Sequence, residues 1–112
     1  MILGPFFMFR KTAVEKCGLF DEQLVSGADY DLALRLAMNG EGMHIPEVLG
    51  FYLNEGMGAS TRPDSKQPLE RTVIELRYGL DVIEEHYIDD AKNYDIENVV
   101  IDGCKIPVKE FV

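Results

Sequence analysis

Apolar residues recur at Leu69, Val73, Leu76, Leu80, Ile83 and Tyr87, in alternating steps of four and three. That spacing returns to one face of an α-helix, and Arg71, Glu75, Asp81 and Glu85 fall largely on the other. The pattern predicts one long amphipathic helix. Two shorter helices are expected before it. Residues 12–16 carry a capping pattern in Thr12 and Glu15, and Gly18 stands where a C′ glycine ends a helix. Ser26 and Asp29 repeat the pattern ahead of residues 29–38, which Asn39-Gly40 closes. Arg35 is expected on the exposed side of this second helix.

Residues 6–10 are short and aromatic, with Pro5 at the start, and read as a strand. Residues 43–53 form a second extended region, interrupted by Pro46 and Gly50. Residues 55–67 are rich in Gly, Ser, Pro and Asp and predict a loop long enough to be functional or mobile, with residues 56–65 as a candidate lid. Val99-Val100-Ile101, Asp102-Gly103 and residues 104–108 predict a β-hairpin with a turn of the Asp-Gly type. Pro107 makes its second arm an edge. The chain divides into residues 1–96 and a hairpin tail, residues 97–112. Its class is α/β, more narrowly an α+β fragment.

A length of 112 residues allows one domain, or a piece of one, burying roughly two thirds of its unfolded surface. Eleven basic residues against 20 acidic ones leave a net charge of −9, which disfavours nucleic acid and anionic membranes as partners. It also disfavours unaided binding of a polyphosphate. Cys17 and Cys104 are the only cysteines; reduced thiols in the cytoplasm are expected, with a disulfide as the alternative. No apolar run approaches the roughly 20 residues of a membrane span. The apolar opening, residues 1–9, lacks a basic n-region and is broken by Gly4-Pro5, so it is expected to belong inside a larger fold rather than to a signal sequence. An isolated chain would expose Ile2, Leu3, Phe6, Phe7 and Phe9, and a homo-oligomer that buries them is expected.

Candidate chemistry concentrates in residues 18–36. Two acidic clusters, Asp21-Glu22 and Asp29-Tyr30-Asp31, flank a small flexible segment and lead into the helix. A carboxylate at a loop-to-helix junction is held by the helix and still reaches a ligand arriving over the loop. Asp29 reads as a capping acid near the helix's positive end, in a place that also suits acid–base chemistry on a hydroxyl group. Asp31 reads as an ion-pair partner of Arg35 at i,i+4, or as a second ligand. Asp21 and Glu22 shape either a turn or the substrate side. Tyr30 and Tyr52 suit a half-buried core position or stacking on a ligand. His44 and His86 have no ligand-type spacing and are expected to be structural.

The order Phe9-Arg10-Lys11, Glu15-Lys16-Cys17-Gly18-Leu19-Phe20-Asp21-Glu22, Ala28-Asp29-Tyr30-Asp31-Leu32, Leu34-Arg35-Leu36, Gly40, Ile45-Pro46, Leu49-Gly50 and Tyr52 resembles the second half of family 2 glycosyltransferases. The resemblance covers about half of the chain without gaps, and a Ser-containing loop before a long helix extends it. It implies the C-terminal, acceptor-side part of a GT-A fold in an inverting transferase that uses a nucleotide-sugar donor and a hydroxyl acceptor. Asp29 then matches the base that deprotonates the acceptor. Asp21, Glu22, Asp31 and Tyr52 are the candidate substrate-binding residues. Mg²⁺ or Mn²⁺ is implied only for the full-length parent, on a strand-end Asp-x-Asp of its donor half. No metal ligand is assigned in this chain. Ala28 stands where many members have glutamate, Glu55 where a histidine often follows the Tyr, and there is no Gln-x-x-Arg-Trp motif. The chain alone is expected to be inactive. The alternative is a non-catalytic interaction module on the same scaffold.

Overall fold

The computed structural model of the chain describes residues 7–51 and 64–111. Among them are four α-helices: α1 Lys11–Cys17, α2 Ala28–Asn39, α3 Gln67–Arg77 and α4 Ile88–Ala91. One two-stranded antiparallel sheet follows, β1 Asn98–Ile101 and β2 Cys104–Pro107. Single 3₁₀ turns at Glu85–Tyr87 and Val108–Glu110 complete the described elements. The result is a small α+β fold in which α1 packs on α2 and α3 on α4.

The hairpin forms where the Asp-Gly pair predicts it. Asp102 and Gly103 have φ of 52° and 74°, the left-handed pair whose twist matches that of two antiparallel strands. The register runs from Asn98 opposite Pro107 to Ile101 opposite Cys104. Proline costs no ladder bond at that outer end. The hairpin is tied to the rest of the chain because the Glu22 N–H donates to Val100 O at 2.8 Å.

The predicted long helix stops early. Its apolar stripe buries Val73 and Ile74 completely, each worth roughly 1.5–3 kcal/mol. They form the core with Leu24 and Ala91, and Leu69, Leu76, Tyr94 and Ile96 pack around it. At Gly79, φ turns to 68° and the Leu80 N–H reaches back to Glu75 O at 2.8 Å, a glycine-terminated helix end. Leu80 and Ile83 therefore leave the stripe and stand 41% and 70% exposed.

Other expectations are corrected as well. Residues 7–10 and 43–51 form no strand; they find no ladder partner among the described residues. Phe6, Tyr52 and Leu53 lie outside those residues. Neither capping box forms: α1 is preceded by Arg10 and α2 by Gly27, with no side-chain cap bond at either. Gly18 does end α1 at φ 80°, where a Cβ would lie 3.0 Å from Arg35 Nη1, Ile101 Cδ1 and Phe111 Cζ. Arg35 is buried rather than exposed. Its guanidinium donates to Cys17 O and Leu19 O, both at 2.6 Å, and so closes the C-terminal end of α1. No described helix is long and apolar enough to cross a membrane.

Candidate functional site

The start of α2 is built by a residue far away in sequence. Glu70, on α3, is fully buried, and its Oε1 accepts from the N–H groups of Val25, Ser26 and Gly27 at 2.9, 2.5 and 2.8 Å. Tyr94 donates its hydroxyl to Oε2 at 3.1 Å. A full carboxylate in this ring of donors replaces the Ser26 cap expected at the helix's positive end. Burial and the neighbouring Glu70 push the Tyr94 hydroxyl up to about 12.

Asp29 then lies in the first turn of α2, exposed, with Oδ1 accepting from the Tyr30 N–H at 2.8 Å. Its Oδ2 accepts nothing among the described residues. Asp29, Tyr30, Ser26 and Gly27 line one side of a cleft of about 210 Å³, and Gln67, Arg71 and Ile74 of α3 line the other. Arg71 donates from Nη2 to Glu84 at 2.9 Å, a pair in which each side chain is 36% exposed. A carboxylate oxygen at the lip of such a cleft can accept a proton from a bound hydroxyl. A larger groove of about 730 Å³ runs past Met38, Leu76, Arg77 and Tyr78, but the Arg77 guanidinium and the Tyr78 hydroxyl are committed to interior contacts.

Those contacts account for the other acidic candidates. Asp31 and Arg35 form the i,i+4 pair at 2.9 Å, with both side chains fully buried. Arg77 bridges Asp31 Oδ1 and Asp21 Oδ2, each at 2.9 Å. Burial works against the Arg77 charge, but Asp31 and Asp21 outweigh it and raise its pKa. Tyr78 donates to Asp31 Oδ1 at 2.7 Å. Burial, reinforced by Asp31, holds that phenol neutral far above its ordinary range. Asp21 also accepts from Gln23 N and Val100 N at 3.1 Å. Asp21 and Asp31, expected on the substrate side, are therefore buried counter-ions that join α2, α3 and the hairpin. Buried charges persist only when paired in this way.

Glu22 is exposed and accepts from the Gly103 N–H at 2.9 Å, across the hairpin turn. Tyr30 is half-buried and packs on the core cluster. Tyr52 and residues 56–63 of the expected lid lie outside the described residues. His44 is exposed, and His86 stacks on Tyr87 with ring centroids 4.2 Å apart. Among the described residues no group of three ligand side chains is placed to hold a metal ion, and the oxygens of Asp21 and Asp31 already face guanidinium groups. These residues do not fit Mg²⁺ or Mn²⁺. Both cysteines are free thiols, Cys17 buried and Cys104 exposed.

Glu70, Gln67, Arg71 and Arg77 were not singled out by the sequence. Arg71 could have been, as a cation one helical turn from the apolar stripe and level with the loop before Asp29. Nothing local marks Glu70, whose backbone partners lie more than 40 positions earlier and whose phenol partner, Tyr94, lies 24 later. No family model, curated protein or solved structure matches the chain.

Proposed function

We propose that the chain is the acceptor-side part of an inverting, family 2-like glycosyltransferase, the C-terminal portion of a GT-A fold, with Asp29 as the general base. The observation that carries this reading is the position of Asp29: exposed, in the first helical turn, at the lip of a cleft, with one oxygen anchored by a backbone N–H. The acceptor hydroxyl gives its proton to Asp29 as its oxygen attacks the anomeric carbon of the donor. The bond to the nucleoside diphosphate breaks, and the diphosphate leaves with the electron pair. A positioned base of this kind contributes roughly 10²–10⁴-fold.

The donor would be held outside the described residues, because a polyphosphate finds no cation cluster here and the chain's net charge is −9. Attack from one side without a covalent intermediate inverts the anomeric centre. With the donor-binding region supplied, an α-linked nucleotide sugar should give a β-linked product, read from the anomeric proton coupling. An α-linked product would refute the reading.

A second reading, a non-catalytic interaction module, draws on exposed apolar side chains in residues 43–51. Met43, Val48 and Phe51 are 87%, 88% and 97% exposed.

A further inference from the structure

Among the described residues, the Asp29 cleft contains one basic side chain, Arg71. We infer that Arg71 selects the acceptor, and that this acceptor carries an oxyanion, a phosphate ester or a carboxylate, beside the hydroxyl facing Asp29. The inference rests on the reading of the cleft as an acceptor site.

The turn before α2 does not supply the anion's donors. The N–H groups of Val25, Ser26 and Gly27 already point at Glu70. Arg35 and Arg77 are held in the interior by Asp31 and Asp21. Among the described residues, Arg71 is left as the cation that a ligand in the cleft can reach.

Two features of Arg71 suit that role. Its Nε is buried and has no hydrogen-bond partner among the described residues. An unmet buried donor is costly, and a ligand oxygen would satisfy it once the guanidinium, released from Glu84, turns that edge to the cleft. Its Nη2 is held by Glu84 alone, in a half-exposed pair of the kind that water and salt weaken. An oxyanion taking both Nε and Nη2 side by side gains the paired geometry that guanidinium favours, while Glu84 turns to solvent. Glu84 thus acts as a resident counter-ion exchanged on binding.

The cleft also orients its ligand. Asp29 repels an anion, so the charged group belongs at the Arg71 end and the neutral hydroxyl at the Asp29 end. With a net charge of −9, the protein as a whole attracts no anions, and selectivity for one must come from this local contact.

The test is a titration of the whole chain with methyl glucoside, glucose 6-phosphate and glucuronate, following the Arg71 Nε–H and the Tyr30 amide by NMR. The two anionic probes should bind about tenfold more tightly than the neutral one and shift the Arg71 signal. Arg71→Gln should erase that difference, and Glu84→Gln should tighten both anionic probes by about three- to fivefold. The relative strength of the two anionic probes tells phosphate from carboxylate. If all three probes shift Tyr30 with equal affinity, the inference about Arg71 falls and the acceptor cleft stands. If none of them shifts either signal, the acceptor cleft falls with it.

Discussion

Replacing Arg77 by methionine keeps most of the side chain's bulk and removes its charge. In the folded chain the guanidinium donates to Asp31 Oδ1 at 2.9 Å and to the carbonyls of Ile96, Asp95 and Asn98 at 3.0, 2.7 and 3.1 Å, and it pairs with Asp21 Oδ2 at 2.9 Å. The losses are unequal. Asp31 keeps Arg35 and Tyr78, and the Asp95 and Asn98 carbonyls keep Gln23 as a donor. Asp21, 1% exposed, loses the one cation it meets among the described residues and retains the neutral donors of Gln23 and Val100. One stranded buried carboxylate costs about 3–5 kcal/mol. That is a large share of the roughly 5–15 kcal/mol that holds a domain together. Urea unfolding followed by circular dichroism should show that loss, as a lower midpoint at an unchanged slope. Adding Asp21→Asn to the variant should recover at least about 1 kcal/mol, because the amide needs no counter-ion. A loss below about 1 kcal/mol for Arg77→Met, or no recovery in the double variant, would refute the view that this ion cluster holds α2, α3 and the hairpin together.

Gly18→Ala puts a Cβ at φ 80° and 3.0 Å from Arg35, Ile101 and Phe111, and a loss of about 1–3 kcal/mol is expected in the same unfolding assay. Tyr94 is a group whose folded pKa, near 12, is raised above its unfolded value of about 10, so its contribution is complete below pH ~10 and is lost as pH rises toward 12. The alkaline fall in stability should be shallower in Tyr94→Phe, and an identical slope would count against the Glu70 contact. Sedimentation at micromolar concentration should show a species heavier than the 12.7 kDa chain, the homo-oligomer expected to bury Ile2, Leu3, Phe6, Phe7 and Phe9, with the exposed Met43, Val48 and Phe51 adding apolar surface to cover; a monomer would remove it.

What the sequence revealed depended on how local each cause is. The hairpin was legible because Asp102-Gly103 fixes its own turn through backbone angles alone. The second helix was legible to within a residue at each end, and so was the Asp31–Arg35 pair, since spacing on a helix decides both. The burial of that pair was not legible, because the carbonyls of Cys17 and Leu19 that receive Arg35 are brought in by α1. The end of α3 was written in the sequence at Tyr78-Gly79, but the apolar stripe runs on through Leu80 and Ile83 and masks it. The strand expected in residues 6–10 and the extended region in residues 43–53 rested on composition, which does not supply the ladder partner that residues 7–10 and 43–51 lack among the described residues. At the candidate site, Asp29 was visible from its place in the first turn of a helix. Glu70, which holds the turn before that helix, was hidden because it acts across the fold.

The central claim is that Asp29 removes the acceptor's proton. Its most direct test compares the turnover and acceptor binding of the native chain with those of Asp29→Asn, each combined with the donor-binding region. Asparagine keeps the shape and still accepts the Tyr30 N–H, but it does not take up a proton at working pH. The account predicts turnover lower by roughly 10²–10⁴-fold, with folding and acceptor affinity nearly unchanged. Because asparagine serves a helix start about as well as aspartate, turnover within about threefold of native would make Asp29 a helix-start residue and would contradict the account.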